Sequence, residues 1–290
     1  MKYRRLFKLM LLAIVGNRRG LFGFAILFTY IIIAVMAPVL SPYNPLDTDM
    51  DNAYLPPIGL GGNLDHPLGT DGLGRDLFSR LVHSARINLV IAFLAATGAA
   101  VVGIPAGILA GYLGGKVNRA VQALTDAWLS FPHVVFAIVL IAALGVRWTN
   151  LVIAITVIDW TRFARVIRGE VFGVREREFI KVAETMGLSN LLIITSEVLP
   201  NILPTILVVY TLELGIVVSV EALMSFVGLG VEPAIVSWGN MIAEGMSYIR
   251  TGWWSVVFPV AAIMIIILGL NALGDGLREV TDPRTSRILR

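Results

Sequence analysis

The sequence contains no cysteine in 290 residues, which excludes disulfides, thiolate metal centres and cysteine nucleophiles. Charge is also scarce: Asp, Glu, Lys and Arg make up 15% of the chain, against 57% for hydrophobic residues. Soluble domains carry about 25% charged residues, so lipid solvates most of this chain. The three histidines, His66, His83 and His133, are scattered, and neither a His-Glu-x-x-His nor a Gly-x-Ser-x-Gly pattern occurs, so no zinc or serine hydrolase signature exists. Leu109–Val117 holds a Gly-Gly-Lys run, but Ala110 and Val117 stand where a phosphate-binding loop needs Gly and Ser or Thr. The chain is read as having no catalytic residue, no metal site and no cofactor of its own. Nothing in its small net charge of +3 points to nucleic acid.

What the sequence has instead is long apolar runs. About 20 apolar residues cross the roughly 30 Å hydrocarbon core. Six segments qualify: Gly20–Leu40, Leu89–Leu113, Ala120–Leu144, Leu151–Val171, Ile202–Val227 and Trp254–Leu273. They predict an all-α, polytopic membrane helix bundle with six transmembrane helices. The first run is too long for a signal-peptide core and lacks a small-residue cleavage site, so it is expected to be an uncleaved anchor. The short run Leu9–Val15, behind Arg4, Arg5 and Lys8, is expected to lie in the interface. With the N-terminus inside, eighteen of the 23 Lys and Arg residues fall on inner segments, so both termini are placed in the cytoplasm. The resulting division is a cytoplasmic N-terminus and first helix (1–40), an extracytoplasmic Pro- and Gly-rich loop (41–84), a five-helix core (85–280) and a cytoplasmic tail (281–290).

Ala95, Ala99, Gly103, Gly107 and Gly111 recur every four residues in the second span. Small residues at this spacing line one face and admit a second helix closely; packing is the favoured reading and pore lining the alternative. The fourth span repeats charge at Asp159, Arg162, Arg165 and Arg168. Arginines at the cytoplasmic end of a span fit snorkelling, with Asp159 pairing Arg162 one turn away, better than a voltage sensor. A helix leaving the membrane to frame a docking surface is the other reading. Glu213 and Glu221 in the fifth span, about 80° apart around a helix, and Asp126 with His133 in the third, are candidate pathway residues. Structural ion pairs or hydrogen bonds would equally account for the two glutamates.

Between two apolar runs lies a polar helical segment, Glu178–Thr185, stopped by Gly187 and followed by Leu199–Pro200. Such an element on the water side makes sense as a handle for a soluble, energy-supplying protein. With no nucleotide-binding loop here, any ATP is bound by another chain.

These segments resemble the permease subunits of binding-protein-dependent ABC importers, in particular the second permease of the dipeptide/oligopeptide/nickel branch. Ala183, Gly187, Leu199 and Pro200 match that family's cytoplasmic EAA loop, while Lys181, Val182 and Glu197 depart from it at the Glu, first Ala and Ile positions. His66–Leu81, Ser225–Gly230, Ser237–Met241, Leu273–Arg278 and Asp282–Arg284 resemble signatures of the branch, as does Asn17–Asp47. The resemblance implies a type I ABC importer permease fold and half of a translocation pathway for peptides or a similar small solute. It implies as partners a homologous permease subunit, two ABC ATPase subunits binding ATP and Mg, and an extracytoplasmic substrate-binding protein. It places a coupling helix at about 175–190, with Arg175, Glu178, Lys181, Ala183, Gly187 and Leu191 as coupling residues and Leu199–Pro200 as the hinge after it. The Asp71–Arg80 and Glu232–Glu244 regions would face the binding protein, with Asp71, Arg75, Asp76, Trp238 and Asn240 as candidate contacts; a tight folded loop with no partner is the alternative. A stand-alone secondary transporter or channel would show an inverted repeat or a filter segment, and neither is evident.

Overall fold

A computed structural model describes residues 17–281. The interfacial run Leu9–Val15 and the Asp282–Arg284 ending lie outside the described residues. Among the described residues the chain is helical, with no strand beyond an isolated bridge between Thr70 and Asp76.

Helix α1 (Arg18–Leu40) begins at an N-cap, Asn17, whose side chain accepts from the Arg19 amide. The outer loop that follows is folded rather than extended. It carries two 3-10 turns, and Trp254 Nε1 fastens it to the last helix by donating to the Thr70 carbonyl at 2.9 Å. Helix α2 (Leu77–Leu113) starts twelve residues before the expected span. Asp76 caps it by accepting from Ser79 N at 2.7 Å. Its 37 residues reach about 55 Å, well beyond the roughly 30 Å of a hydrocarbon core.

The small-residue stripe of α2 packs, as expected, against α5 (Trp148–Arg175). A Cβ on Gly103 would lie 2.3 Å from the Trp160 carbonyl, one on Gly107 2.7 Å from that of Ala164, and one on Gly111 2.8 Å from that of Arg168. Backbone meets backbone along this seam because lipid offers helices no hydrophobic drive to associate, leaving close contact as the attraction.

The expected third span is not one helix. Helices α3 (Gly115–Leu129) and α4 (His133–Leu144) meet at an angle of 83°. Pro132 is the cause: it disfavours helical geometry at Phe131 and has no N–H to continue the ladder. Lys116, Asn118, Arg119, Gln122 and Asp126 also make α3 amphipathic, so an average over the segment overstates its apolarity.

Helix α5 is followed by the short α6 (Glu178–Thr185), then α7 (Asn190–Ile193), a π turn (Ile194–Val198) and α8 (Leu199–Phe226). The expected break at Leu199–Pro200 is absent: Asn190–Phe226 is one apolar helix through the π turn. Pro200 sits in the first turn of α8, where its missing N–H is tolerated, and the π turn absorbs the local mismatch. The real stop is at Gly187. Helices α9 (Trp238–Met246) and α10 (Trp254–Thr281) complete the chain.

Four described helices are long and apolar enough to cross a membrane: α1, α2, α7–α8 and α10. The bent α3–α4 pair makes a fifth span if counted as one. Helix α5 has the length, at 28 residues, but carries the charged row read from the sequence. The bundle is therefore polytopic and all-α, with two of the six expected spans interrupted by a bend or by charge.

Candidate functional sites

On the side of the bundle where α5 ends, α6 is held by one face and open on the other. Ile180 and Ala183 are buried against Val171 and Val174 of α5 and Ile193, Val198 and Ile202 beyond the turn. The open face carries Phe179, Val182 and Met186, continued by Leu191 and Leu192; Met186 is 75% and Leu191 72% exposed. Glu178 and Lys181 are exposed beside them, and Lys181 Nζ lies 3.6 Å from Glu176. Arg175 is half-buried, its guanidinium lying over the α2–α3 turn near Gly114.

Gly187 ends α6 with φ +76°. Leu188 N donates to the Ala183 carbonyl at 3.2 Å and Gly187 N to that of Glu184 at 3.0 Å. This is a Schellman stop, satisfying two carbonyls that the helix end leaves open. Of the six expected coupling residues, Glu178, Lys181 and Leu191 are on the surface, Ala183 is an anchor, Gly187 is the stop and Arg175 braces the neighbouring turn.

Within the bundle the two glutamates occupy separate clusters of partners. Glu221 is buried and accepts from Asn88 Nδ2 at 2.6 Å and Ser225 Oγ at 2.7 Å. Asn88 Oδ1 in turn accepts from Trp238 N at 3.4 Å, so this node joins α2, α8 and α9. Glu213, also buried, lies 3.5 Å from Arg162 Nε, and Arg162 Nη2 lies 3.5 Å from Asp159. His133 Nδ1 stands 3.6 Å from Asp159 at the bend between α3 and α4. The Asp159–Arg162 pair read from the sequence is thus part of a cluster joining α4, α5 and α8. Asp126 is elsewhere, on the exposed face of α3, 3.3 Å from Arg165.

At the end of the bundle away from α6, Asp71 accepts from Leu73 N and Arg75 N, and its Oδ2 lies 2.7 Å from Arg75 Nε and 3.1 Å from Arg80 Nη1. Both arginines reach Glu244 Oε2 on α9, at 2.5 Å from Arg75 and 2.7 Å from Arg80. Asp76 is buried, capping α2 and meeting His66 Nδ1 at 3.0 Å. Trp238 is buried too, donating through Nε1 to the Leu81 carbonyl at 3.2 Å. Asn240 spends its amide on the Val231 and Ile235 carbonyls. Asp76 and Trp238 therefore build the outer cap and present no side chain to a partner.

Sequence reasoning passed over Asn88 as a site residue and did not pair Arg80 with Glu244. Asn88 gave a signal, a lone amide at the edge of an apolar run. Arg80 and Glu244 fall in the two regions expected to face a binding protein, but their pairing spans 164 positions and leaves no local pattern.

Residues 103–287 match the family described as binding-protein-dependent transport system inner membrane component. Residues 5–57 match the N-terminal TM domain of oligopeptide transport permease C. The dipeptide transport system permease protein DppC of Alkalihalophilus pseudofirmus is 36% identical over 268 residues, covering 92% of this chain and 86% of that protein. The oligopeptide transport system permease protein OppC of Bacillus subtilis is 32% identical over 269 residues, covering 93% and 87%. A solved chain of the MetNI methionine ABC transporter, in an inward-facing conformation, shares the fold with a TM-score of 0.61 at 21% identity, covering 71% of this chain and 98% of that one. The chain belongs to the binding-protein-dependent transport system inner membrane components: it is a permease subunit of an ABC importer, not itself an enzyme.

Proposed function

We propose that this permease carries peptides and is driven through α6. The peptide reading is supported by relatives whose names specify dipeptide and oligopeptide transport. The observation that carries the coupling reading is the row of exposed apolar side chains on α6 and α7, Phe179, Val182, Met186, Leu191 and Leu192, beside a face firmly buried in the bundle. An exposed apolar row rimmed by charge marks a contact surface. Here the occupant is a cleft in an ABC ATPase subunit. The complete assembly pairs this chain with a homologous permease, two ATPase subunits that bind ATP and Mg, and an extracytoplasmic binding protein on the loop side. Both termini lie in the cytoplasm with α6, in keeping with the Lys and Arg distribution. Nothing favours the stand-alone transporter or channel.

Because the chain has no cysteine, single thiols report on this directly. Met186→Cys and Leu191→Cys should react with a membrane-impermeant maleimide in inside-out vesicles and lose that reactivity when the ATPase subunits are present. Labelling from the outer side, or labelling indifferent to the ATPase, would refute the assignment.

A further inference from the structure

The outer ionic cluster borders a cavity of about 320 Å³ that Asp71, Arg75, Arg80, Glu244, Tyr248 and Ser255 help line. Arg80 is only 2% exposed, yet two of its guanidinium nitrogens, Nε and Nη1, have no hydrogen-bond acceptor. Nη1 has only its ionic approach to Asp71, and Nη2 alone donates, to Glu244. A guanidinium carries five N–H donors in a fork suited to both oxygens of a carboxylate, and leaving them unspent in a buried place is costly. The buried fork is thus underfilled, and Arg80 is among the residues that border the cavity.

The two carboxylates that neutralise the arginines are not equivalent. Asp71 is fixed: it holds the turn through Leu73 N and Arg75 N while pairing both arginines, and its side chain is 9% exposed. Glu244 is a long side chain on α9, 46% exposed, reaching in from the rim. Exchanging Glu244 for another carboxylate keeps two positive and two negative charges in place and costs little ordering. The same exchange severs the tie between the outer loop and α9, whose Gly245 packs on Ser255 of α10; a Cβ there would lie 2.7 Å from Ser255 Oγ.

We propose that this cavity is a socket for a carboxylate side chain of the extracytoplasmic binding protein, and that Glu244 is an internal stand-in that vacates it on docking. The proposal rests on the reading that a binding protein docks on this loop face. Of the sequence-derived contacts it keeps Arg75, adds Arg80, and sets aside Asp76 and Trp238, which are buried. Docking then does two things at once: it brings a carboxylate to Arg75 and Arg80 in place of Glu244 and releases the ionic tie between the loop and α9.

The test is the affinity of the cognate binding protein for the complete transporter in nanodiscs, comparing wild type, Glu244→Gln, Glu244→Ala and Arg75→Gln at two ionic strengths. Removing the internal competitor should tighten docking about five- to tenfold in both Glu244 variants, and Arg75→Gln should weaken it by a similar factor. Docking to Glu244→Gln should also become more salt-sensitive than docking to wild type. Unchanged or weaker docking by the Glu244 variants, with wild type docking normally, overturns the socket and leaves the docking face intact. No docking of wild type at all overturns the docking reading itself. A dipeptide that binds the Glu244→Gln transporter without binding protein, when its C-terminal amide does not, assigns the cavity to substrate and also overturns the proposal.

Discussion

The stop of α6 offers a perturbation whose cost is almost purely conformational. Gly187 has φ +76°, and a Cβ there meets nothing within 4 Å. Gly187→Ala therefore adds no clash with a neighbour; it forces an L side chain into the left-handed region, at about 1–2 kcal/mol. The chain escapes by leaving that region, which breaks the bonds from Gly187 N and Leu188 N that close the helix. Either way the native placement of α6 loses about a 5- to 30-fold preference. Binding of purified ATPase subunits to the solubilised chain should weaken within that range, while the bundle, held by seams remote from this turn, keeps its thermal midpoint. Gly187→Asn should recover most of the loss because asparagine tolerates this conformation. Gly169 is the internal contrast: it lies in the regular helix α5, also with nothing within 4 Å. There alanine should stabilise by about 0.5–1 kcal/mol. Equal effects of Ala and Asn at 187, or a loss at 169 matching that at 187, would refute the reasoning.

Gly103→Val should damage the α2–α5 seam outright, because even a Cβ stands 2.3 Å from the Trp160 carbonyl and 2.6 Å from Phe163 Cβ; overpacking costs about 1–3 kcal/mol or more, and detergent thermal denaturation reads it. Arg162→Ala leaves Glu213 and Asp159 facing each other without their cation, a loss of about 3–5 kcal/mol. Adding Glu213→Gln should restore part of that stability, so a non-additive double-mutant cycle is the expected outcome and additivity the contrary one. Glu221→Leu should destabilise by stranding the Asn88 amide, while Glu221→Gln keeps an acceptor and stays near wild type; uptake of a cationic dipeptide unchanged by Glu221→Gln would show that this acid has no direct contact with that cargo.

The parts of the fold legible in the sequence were those written in local pattern. The four-residue stripe of α2 specifies a close helix contact without naming the partner, and α5 proves to be that partner. Gly187 marks a helix stop because few residues take its conformation. Other features were hidden by averaging or by distance. A hydropathy window runs straight over Pro132, although that residue turns the chain by 83°. Leu199–Pro200 looked like a break because proline interrupts helices, but it lies in a first turn where proline is tolerated and a π turn takes up the mismatch. Glu221 and Asn88, 133 positions apart, show one buried acid and one apolar-run amide until folding makes them a pair.

Under the proposed coupling role, the same contacts would carry a force applied at α6 into the bundle interior. Only Glu176 and Arg177 separate α6 from α5, and a turn of four residues, 186–189, separates it from α7. Its buried face touches both flanking helices through Ile180 and Ala183. A push on α6 therefore cannot move one neighbour alone. Helices α5 and α8 meet again deeper in the bundle, where Arg162 lies 3.5 Å from Glu213, and Asp159 extends that contact to His133 at the α3–α4 bend. Ion pairs at 3.5–3.6 Å are long, in contrast to the close apolar packing that holds α6. Weakening the inner contact should loosen the coupling between the ends: Arg162→Lys, which loses the planar fork but keeps the charge, ought to uncouple ATP hydrolysis from uptake while leaving ATPase binding intact. Loss of ATPase binding in that variant would mean the inner contact supports α6 rather than answering to it.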